Sequence, residues 1–235
     1  MNPNRARTAD IIYHRERKKR RAYAYRLLRR TQEVLRAIQE CSSFERPFIL
    51  DLGAADCLML EYLLPALDSQ KAVAVDLSWH LLSVNRNSNI VKVVCEAPLF
   101  SFKDETFDVV VGAAFIEHIP NLDKTLDECH RLLKTGGLLI LTTPAPFFER
   151  IARFIGHLPP GEHFRTYSLK EMVPLLLRAG FAVVKAEKFM LSPTGMPKER
   201  QVEGLIRRIK TDFLLLNQLV VGQKSGKREI SLRRI

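Results

Sequence analysis

The sequence predicts an α/β fold: a doubly wound, mostly parallel seven-stranded sheet with helices on both faces, preceded by a basic N-terminal helix. Three observations carry this. From residue 48 onward, short continuous apolar runs alternate with helical stretches, the pattern of parallel strands covered on both faces. Two of the early runs end in or beside an acid, Asp51 and Asp76, with small residues after the first, as at the ligand-binding carboxyl edge of such a sheet. The chain has 235 residues, 46% of them hydrophobic, enough for one full core and too few for a separate second domain of any size.

The elements follow in order. The arm from about Tyr13 to Glu40 lacks Pro and Gly, and Tyr23, Leu27, Thr31, Val34, Leu35 and Ile38 recur at nearly helical spacing. This predicts an amphipathic helix with a basic outer face, in an arm of residues 1–45 ahead of a domain of residues 46–235. Phe48–Gly53 reads as the first strand, Cys57–Leu67 as a helix and Ala72–Leu77 as the second strand, with Ser78 capping a short helix. Ile90–Ala97 and Phe107–Ala114 are the third and fourth strands. A helix from about Leu122 to Lys134 stops at Gly136-Gly137, before a fifth strand, Leu138–Thr143, closed by Pro144. Residues 145–167 form a less regular insertion with a short helix near Phe147–Ile155. The spacing of Ser168 and Glu171 is that of a capping box, and Gly180 ends the helix it starts. Phe181–Phe189 and Leu219–Lys224 are the last two strands, with a helix near Glu199–Lys210 between them.

Charge is segregated. The net charge is +11 overall, with 12 Arg/Lys against four Asp/Glu in residues 1–40 and five against one in residues 224–235. The body between is nearly neutral, so it lacks the footprint of a nucleic-acid binder; the basic ends suit an anionic partner, RNA or a membrane surface, or simple solvation. Cys41, Cys57, Cys95 and Cys129 form no CxxC pair, which argues against disulfides or zinc and fits a reducing cytoplasm. No His/Asp/Glu cluster has ligand spacing, so no metal is expected. The N-terminus has no signal-peptide pattern, and no apolar run is long enough to span a bilayer. A cytoplasmic location is expected, with peripheral membrane attachment as its variant.

The most informative stretch is Ile49-Leu50-Asp51-Leu52-Gly53-Ala54-Ala55-Asp56-Cys57. Small residues between strand and helix let a ligand approach the backbone, and a helix N-terminus favours an anion. Asp76 ends the second strand, where an acid can hydrogen-bond both hydroxyls of a ribose. A dinucleotide fingerprint would read GxGxxG, and here Leu58 fills the place of its third Gly, which disfavours NAD.

ILDLGAADC resembles motif I of the class I S-adenosylmethionine (SAM)-dependent methyltransferases, an acid followed by GxGxG, with Ala55 and Cys57 in place of the later glycines. VAVDLS resembles the ribose motif; CEAPLFSFKDETFDVVVGAAFIEHIPN is similar to the adenine-site and fourth-strand region, with Glu96 where Asp is commoner. RLLKTGGLLILTTP and HFRTYSLKEMVPLLLRAGF resemble the following segments, and the likeness spans residues 48–224. The resemblance implies a Rossmann-like methyltransferase with SAM as cofactor. It implies that Asp51 and the backbone of Gly53, Ala54 and Ala55 hold the methionine end, and that Asp76 takes the ribose. Leu77 packs on the adenine, Glu96 and Ala97 meet its edge, and Ala113 lines the cofactor.

Methyl transfer from a sulfonium chiefly needs alignment and exclusion of water; a hydroxyl nucleophile also needs a base, which at neutral pH is most often His. His118, after the fourth strand, and His163, in the insertion, are the candidate catalytic residues; Arg165 and Tyr167 are candidates to bind substrate or to pin the loop. The expected acceptor is an O or N atom of a small molecule, glycan or lipid precursor. The alternatives are an RNA methyltransferase using the basic arm and a non-catalytic binding or scaffold protein of the same fold. Against RNA, Gly112-Ala113-Ala114-Phe115 stands where enzymes acting on exocyclic amines of bases carry an Asn-Pro-Pro-Tyr-like tetrapeptide.

Overall fold

The computed structural model describes residues 21–154 and 164–226, the side chains of 152 and 153 excepted. His163 and the first 20 residues of the arm lie outside that range. The described chain runs α1 (Arg21–Cys41), β1 (Ile49–Leu52), α2 (Leu58–Ala66), β2 (Ala72–Asp76), α3 (Trp79–Val84), β3 (Ile90–Val94) and β4 (Phe107–Ala113). It continues with α4 (Leu122–Leu132), β5 (Leu133–Pro144), α5 (Pro146–Phe154), α6 (Leu169–Arg178), β6 (Phe181–Phe189), α7 (Glu199–Arg208) and β7 (Asn217–Lys224). Short 3₁₀ turns cover Ile116–His118 and Asp212–Leu214.

The seven strands form one sheet in the order β3-β2-β1-β4-β5-β7-β6. The strands from β1 to β5 pair in parallel, and β7 runs antiparallel between β5 and β6. This is the expected doubly wound α/β architecture. The strand order reverses between β1 and β4, so a cleft opens at their carboxyl ends.

Alternation along the strands assigns the two faces. Ile49, Ala72, Ala74, Val109, Val111, Leu138, Ile140, Leu219 and Val221 pack with Val34, Ala37 and Ile38 of α1 and Leu60 and Leu63 of α2. Leu50, Leu52, Val73, Val75, Val110, Leu139, Leu141 and Val220 pack with Leu126 and Leu132 of α4 and Met172 and Leu176 of α6. Both faces are apolar, which is why these strands read as continuous apolar runs rather than alternating ones.

Four differences from the sequence reading have local causes. The helix α4 ends at Leu132 and β5 begins at Leu133, which pairs with Phe107, so Gly136-Gly137 lie inside the strand and do not stop the helix. β3 stops at Val94 rather than Ala97, because the chain turns just beyond it, where Leu99 N–H bonds the Glu96 carbonyl and Phe100 N–H the Pro98 carbonyl, both at 2.8 Å. β7 begins two residues early, at Asn217, where it pairs with Pro144. The face of α1 is not uniformly basic outside. Arg29 is buried, its guanidinium 2.5 Å from Glu33 and 2.9 Å from both carboxylate oxygens of Glu203 on α7. A buried cation is tolerated only when paired in this way. Nearby, Tyr25 donates to Glu199, and Arg36 and Lys185 pair with Glu187 and Glu40. These contacts bind α1 to α7 and β6.

Candidate active site

The sequence-predicted residues of the described range gather at the carboxyl edge. Asp51 is buried near the end of β1, and the Gly53–Cys57 loop follows it. Asp76 ends β2, Glu96 and Ala97 follow β3, Ala113 ends β4, and His118 closes the 3₁₀ turn after β4.

The loop after β1 has an unusual backbone. Gly53, Ala55 and Cys57 all have positive φ, at 69°, 49° and 57°. Gly53 and Ala54 N–H groups both bond the Val75 carbonyl, at 2.8 and 3.0 Å, and Ala55 N–H bonds Asp76 Oδ2 at 2.8 Å. The loop is therefore shaped by β2, and these three N–H groups are already engaged. What it offers a ligand is close approach: Gly53 is exposed, and a Cβ there would lie 2.9 Å from the Phe115 ring. We expect Gly53→Ala to cost about 2 kcal/mol of stability, through the left-handed φ and that contact; the change would appear in thermal unfolding, with weaker SAM binding by calorimetry. Ala55 and Cys57 carry their left-handed φ with a side chain, the local strain that glycine would relieve. Burial pushes the Cys57 thiol up to about 12, helped by the charge of Asp51, so the group is a neutral filler and no nucleophile.

The Asp76 carboxylate ties the site together. Oδ2 accepts from Ala55 and Oδ1 from Ser78 N–H at 2.9 Å. A carboxylate offers about four acceptor sites, so roughly two remain for hydroxyl donors. Beside it, Leu77 is 68% exposed and Leu99, beyond β3, is 70% exposed. Large apolar side chains left in water at the ends of adjacent strands suit the faces of an aromatic base. A ribose acceptor, flanking apolar surface and an open glycine turn are what SAM requires, so the residues present fit it. Glu96 is exposed and Ala97 half-buried at the same edge.

The 3₁₀ turn after β4 separates neighbours that the sequence sets side by side. Glu117 points inward, 1% exposed, and accepts from Thr143 Oγ1 at 3.1 Å, whereas His118 is exposed. The Glu117 carbonyl accepts Phe164 N–H at 2.8 Å, fastening the segment before α6 to the end of β4. Glu117 was not singled out from sequence; its only signal is its place beside His118. Arg165 and Tyr167 lie on the fastened segment. Tyr167 is buried in the core, with Arg165 stacked 5.0 Å from its ring centre and paired with Glu171 at 3.0 Å. Ser168 donates its N–H and Oγ to Glu171, which with Arg165 holds that carboxyl below its usual range. These contacts secure the segment beside the cleft. Among the described residues, no three His, Cys, Asp or Glu side chains could hold a metal ion together, and no helix is long and apolar enough to cross a membrane.

A family model described as a methyltransferase domain matches residues 18–186. Phosphoethanolamine N-methyltransferase 2 of Caenorhabditis elegans is 26% identical over 121 residues, 48% of this chain and 28% of that protein's length. The chain thus aligns with under a third of that curated relative. Among solved structures, the methyltransferase in complex with the Haloferax volcanii Trm112 activator superposes with a TM-score of 0.67 at 17% identity, over 84% of this chain and 90% of that one. Haemonchus contortus phosphoethanolamine N-methyltransferase 2, in complex with SAM, gives 0.61 at 17% identity, over 83% of this chain and 53% of that one. At such identities the structural likeness shows the shared fold. With well over half its length matched by the family model, and its motifs in the family's order along the sheet edge, the chain belongs to the methyltransferase domain family, whose methyl donor is SAM.

Proposed function

We propose that this protein transfers the methyl group of SAM to an O or N atom of a small-molecule, glycan or lipid-precursor acceptor bound over the carboxyl ends of β4 and β5. The observation that carries the reading is the Asp76 carboxylate, anchored to the Gly53–Cys57 loop by Ala55 N–H and followed directly by the exposed Leu77. In this reading Asp76 holds the ribose, and Leu77, Glu96 and Ala97 hold the adenine. Asp51, the Gly53–Ala55 backbone and Ala113 line the methionine end. When bound, SAM supplies a methyl on a sulfonium already activated for attack. The protein aligns the acceptor with that methyl and keeps water out, and Glu117 helps by clipping the segment at Phe164 to the edge of the cleft. His118 and His163 take the acceptor proton, and the exposed Arg165 meets an acidic group on the acceptor. The N-methyltransferase relative, named for phosphoethanolamine, supports a small amine or hydroxyl acceptor of this kind.

The test has two stages. Calorimetry with SAM, its demethylated product and NAD should show binding of the first two alone; binding of NAD instead would overturn the reading. Radiolabelled SAM is then supplied with phosphoethanolamine and a panel of small amines and alcohols. With a responsive acceptor, His118→Gln is expected to lower kcat about a hundredfold, the contribution of a general base, and to leave the SAM Kd unchanged. His163→Gln is run in parallel, and wild-type turnover by both variants would remove the histidines from the mechanism.

A further inference from the structure

We propose that α5, α7 and the 3₁₀ turn after α7 form a docking face for an anionic lipid surface. On α5, Phe147, Ile151 and Phe154 recur at i, i+4 and i+7 and are exposed, Phe154 to 91%. That spacing puts them on one face. Arg150 is exposed beside them, while the helix's acid, Glu149, is buried. The second element repeats the arrangement. Leu205 and Ile209 are exposed one turn apart, followed by exposed Phe213 and Leu214. Arg208 and Lys210 are exposed among them, and the helix's acids, Glu199 and Glu203, are buried against α1.

A single exposed leucine needs no explanation, but seven large apolar side chains on three elements do. α5 and the 3₁₀ turn adjoin at the sheet edge, where Pro144 pairs with Asn217 and Ala145 N–H bonds the Leu216 carbonyl at 2.8 Å, and α7 leads into that turn. Apolar and cationic groups are exposed on these elements, the carboxylates of both helices are turned in, and the turn's Asp212 is half-exposed and paired with Lys188 at 3.7 Å. This is the charge complement of an anionic membrane, into which the apolar stripe inserts while Arg150, Arg208 and Lys210 meet headgroups. The face leaves the sheet at the same edge as the candidate active site, so docking turns the cleft toward the membrane. The proposal does not depend on methyl transfer.

The test is flotation of the full chain with vesicles of phosphatidylcholine, alone or mixed with phosphatidylglycerol. Binding is expected to the mixed vesicles only, and to weaken with added salt. Phe154→Ser/Phe213→Ser keeps every charge and should lower the partition coefficient about tenfold or more; Arg208→Glu/Lys210→Glu should do the same. Lys18→Gln/Lys19→Gln, in the basic arm, should change it by no more than about threefold. Thermal unfolding confirms that each variant is folded. The proposal is overturned by equal partition of the Phe154→Ser/Phe213→Ser variant and the wild type, by equal binding to neutral vesicles, or by no flotation. It is also overturned if those two phenylalanines prove instead to hold together a dimer seen by sedimentation, or if RNA, and not vesicles, retains the protein.

Discussion

Replacing Asp76 by alanine is expected to weaken SAM binding about a thousandfold, with the fold retained. Two losses combine. The ribose hydroxyls lose a charged acceptor, and hydrogen bonds to charged groups contribute about 1.5–3 kcal/mol each. The Gly53–Cys57 loop also loses its tie, because the Asp76 carboxylate accepts the Ala55 N–H at 2.8 Å and the Ser78 N–H at 2.9 Å. Together these reach about 4 kcal/mol, or a factor near a thousand. Asp76→Asn keeps one acceptor oxygen and should recover part of the affinity. Calorimetric titration reads both variants, and an alanine variant that binds SAM as the wild type does would remove Asp76 from the site.

The second large effect lies away from the cleft. Arg29→Met is expected to destabilise the protein by about 3 kcal/mol, because it leaves Glu33 and Glu203 charged in the interior without their main partner. Arg36 at 2.5 Å from Glu33 and Arg207 at 3.9 Å from Glu203 soften the loss without cancelling it. Adding Glu203→Gln should recover a substantial part. The amide carries no charge, yet its oxygen can still accept the Met190 N–H that Glu203 accepts at 2.8 Å. The readout is the urea midpoint, or a melting temperature lower by roughly 6–12 °C at this chain length. If Arg29→Met is as stable as the wild type, α1 is not held by this network.

Much of this was legible in the sequence. The five inner strands are legible because both of their faces are buried, so each carries a short apolar run between polar punctuation, whereas the edge strands β3 and β6 are partly exposed and admit Lys92, Lys185, Glu187 and Lys188. The acid and small residues of the first loop and the acid ending β2 were legible for the same reason: their positions relative to strand ends are fixed by chain order. What was not legible depended on partners far along the chain. The pairing of Arg29 with Glu33 on one helix reads equally well as a solvated ion pair, and what turns both inward is Glu203, 174 positions from Arg29. Periodicity likewise failed at Glu117. A single 3₁₀ turn buries it and exposes His118, so the residue type that drew attention is the one facing water. The engaged N–H groups of the first loop were also hidden, since they depend on Val75 and Asp76 across the sheet.

The place of β7 has a consequence for how the chain reaches this structure. β7 lies between β5 and β6 although it follows both in sequence, so β6 has no neighbour in the sheet until residues 217–224 exist. During synthesis one edge of β5 and the whole of β6 wait unpaired, and closure depends on contacts between residues such as Leu138 and Gln223. Long-range pairing of this kind is slow, and unpaired edges invite association. Assembly on that side of the molecule is therefore a late event, and the interval before it is when the nascent chain is most exposed to self-association and most dependent on chaperones.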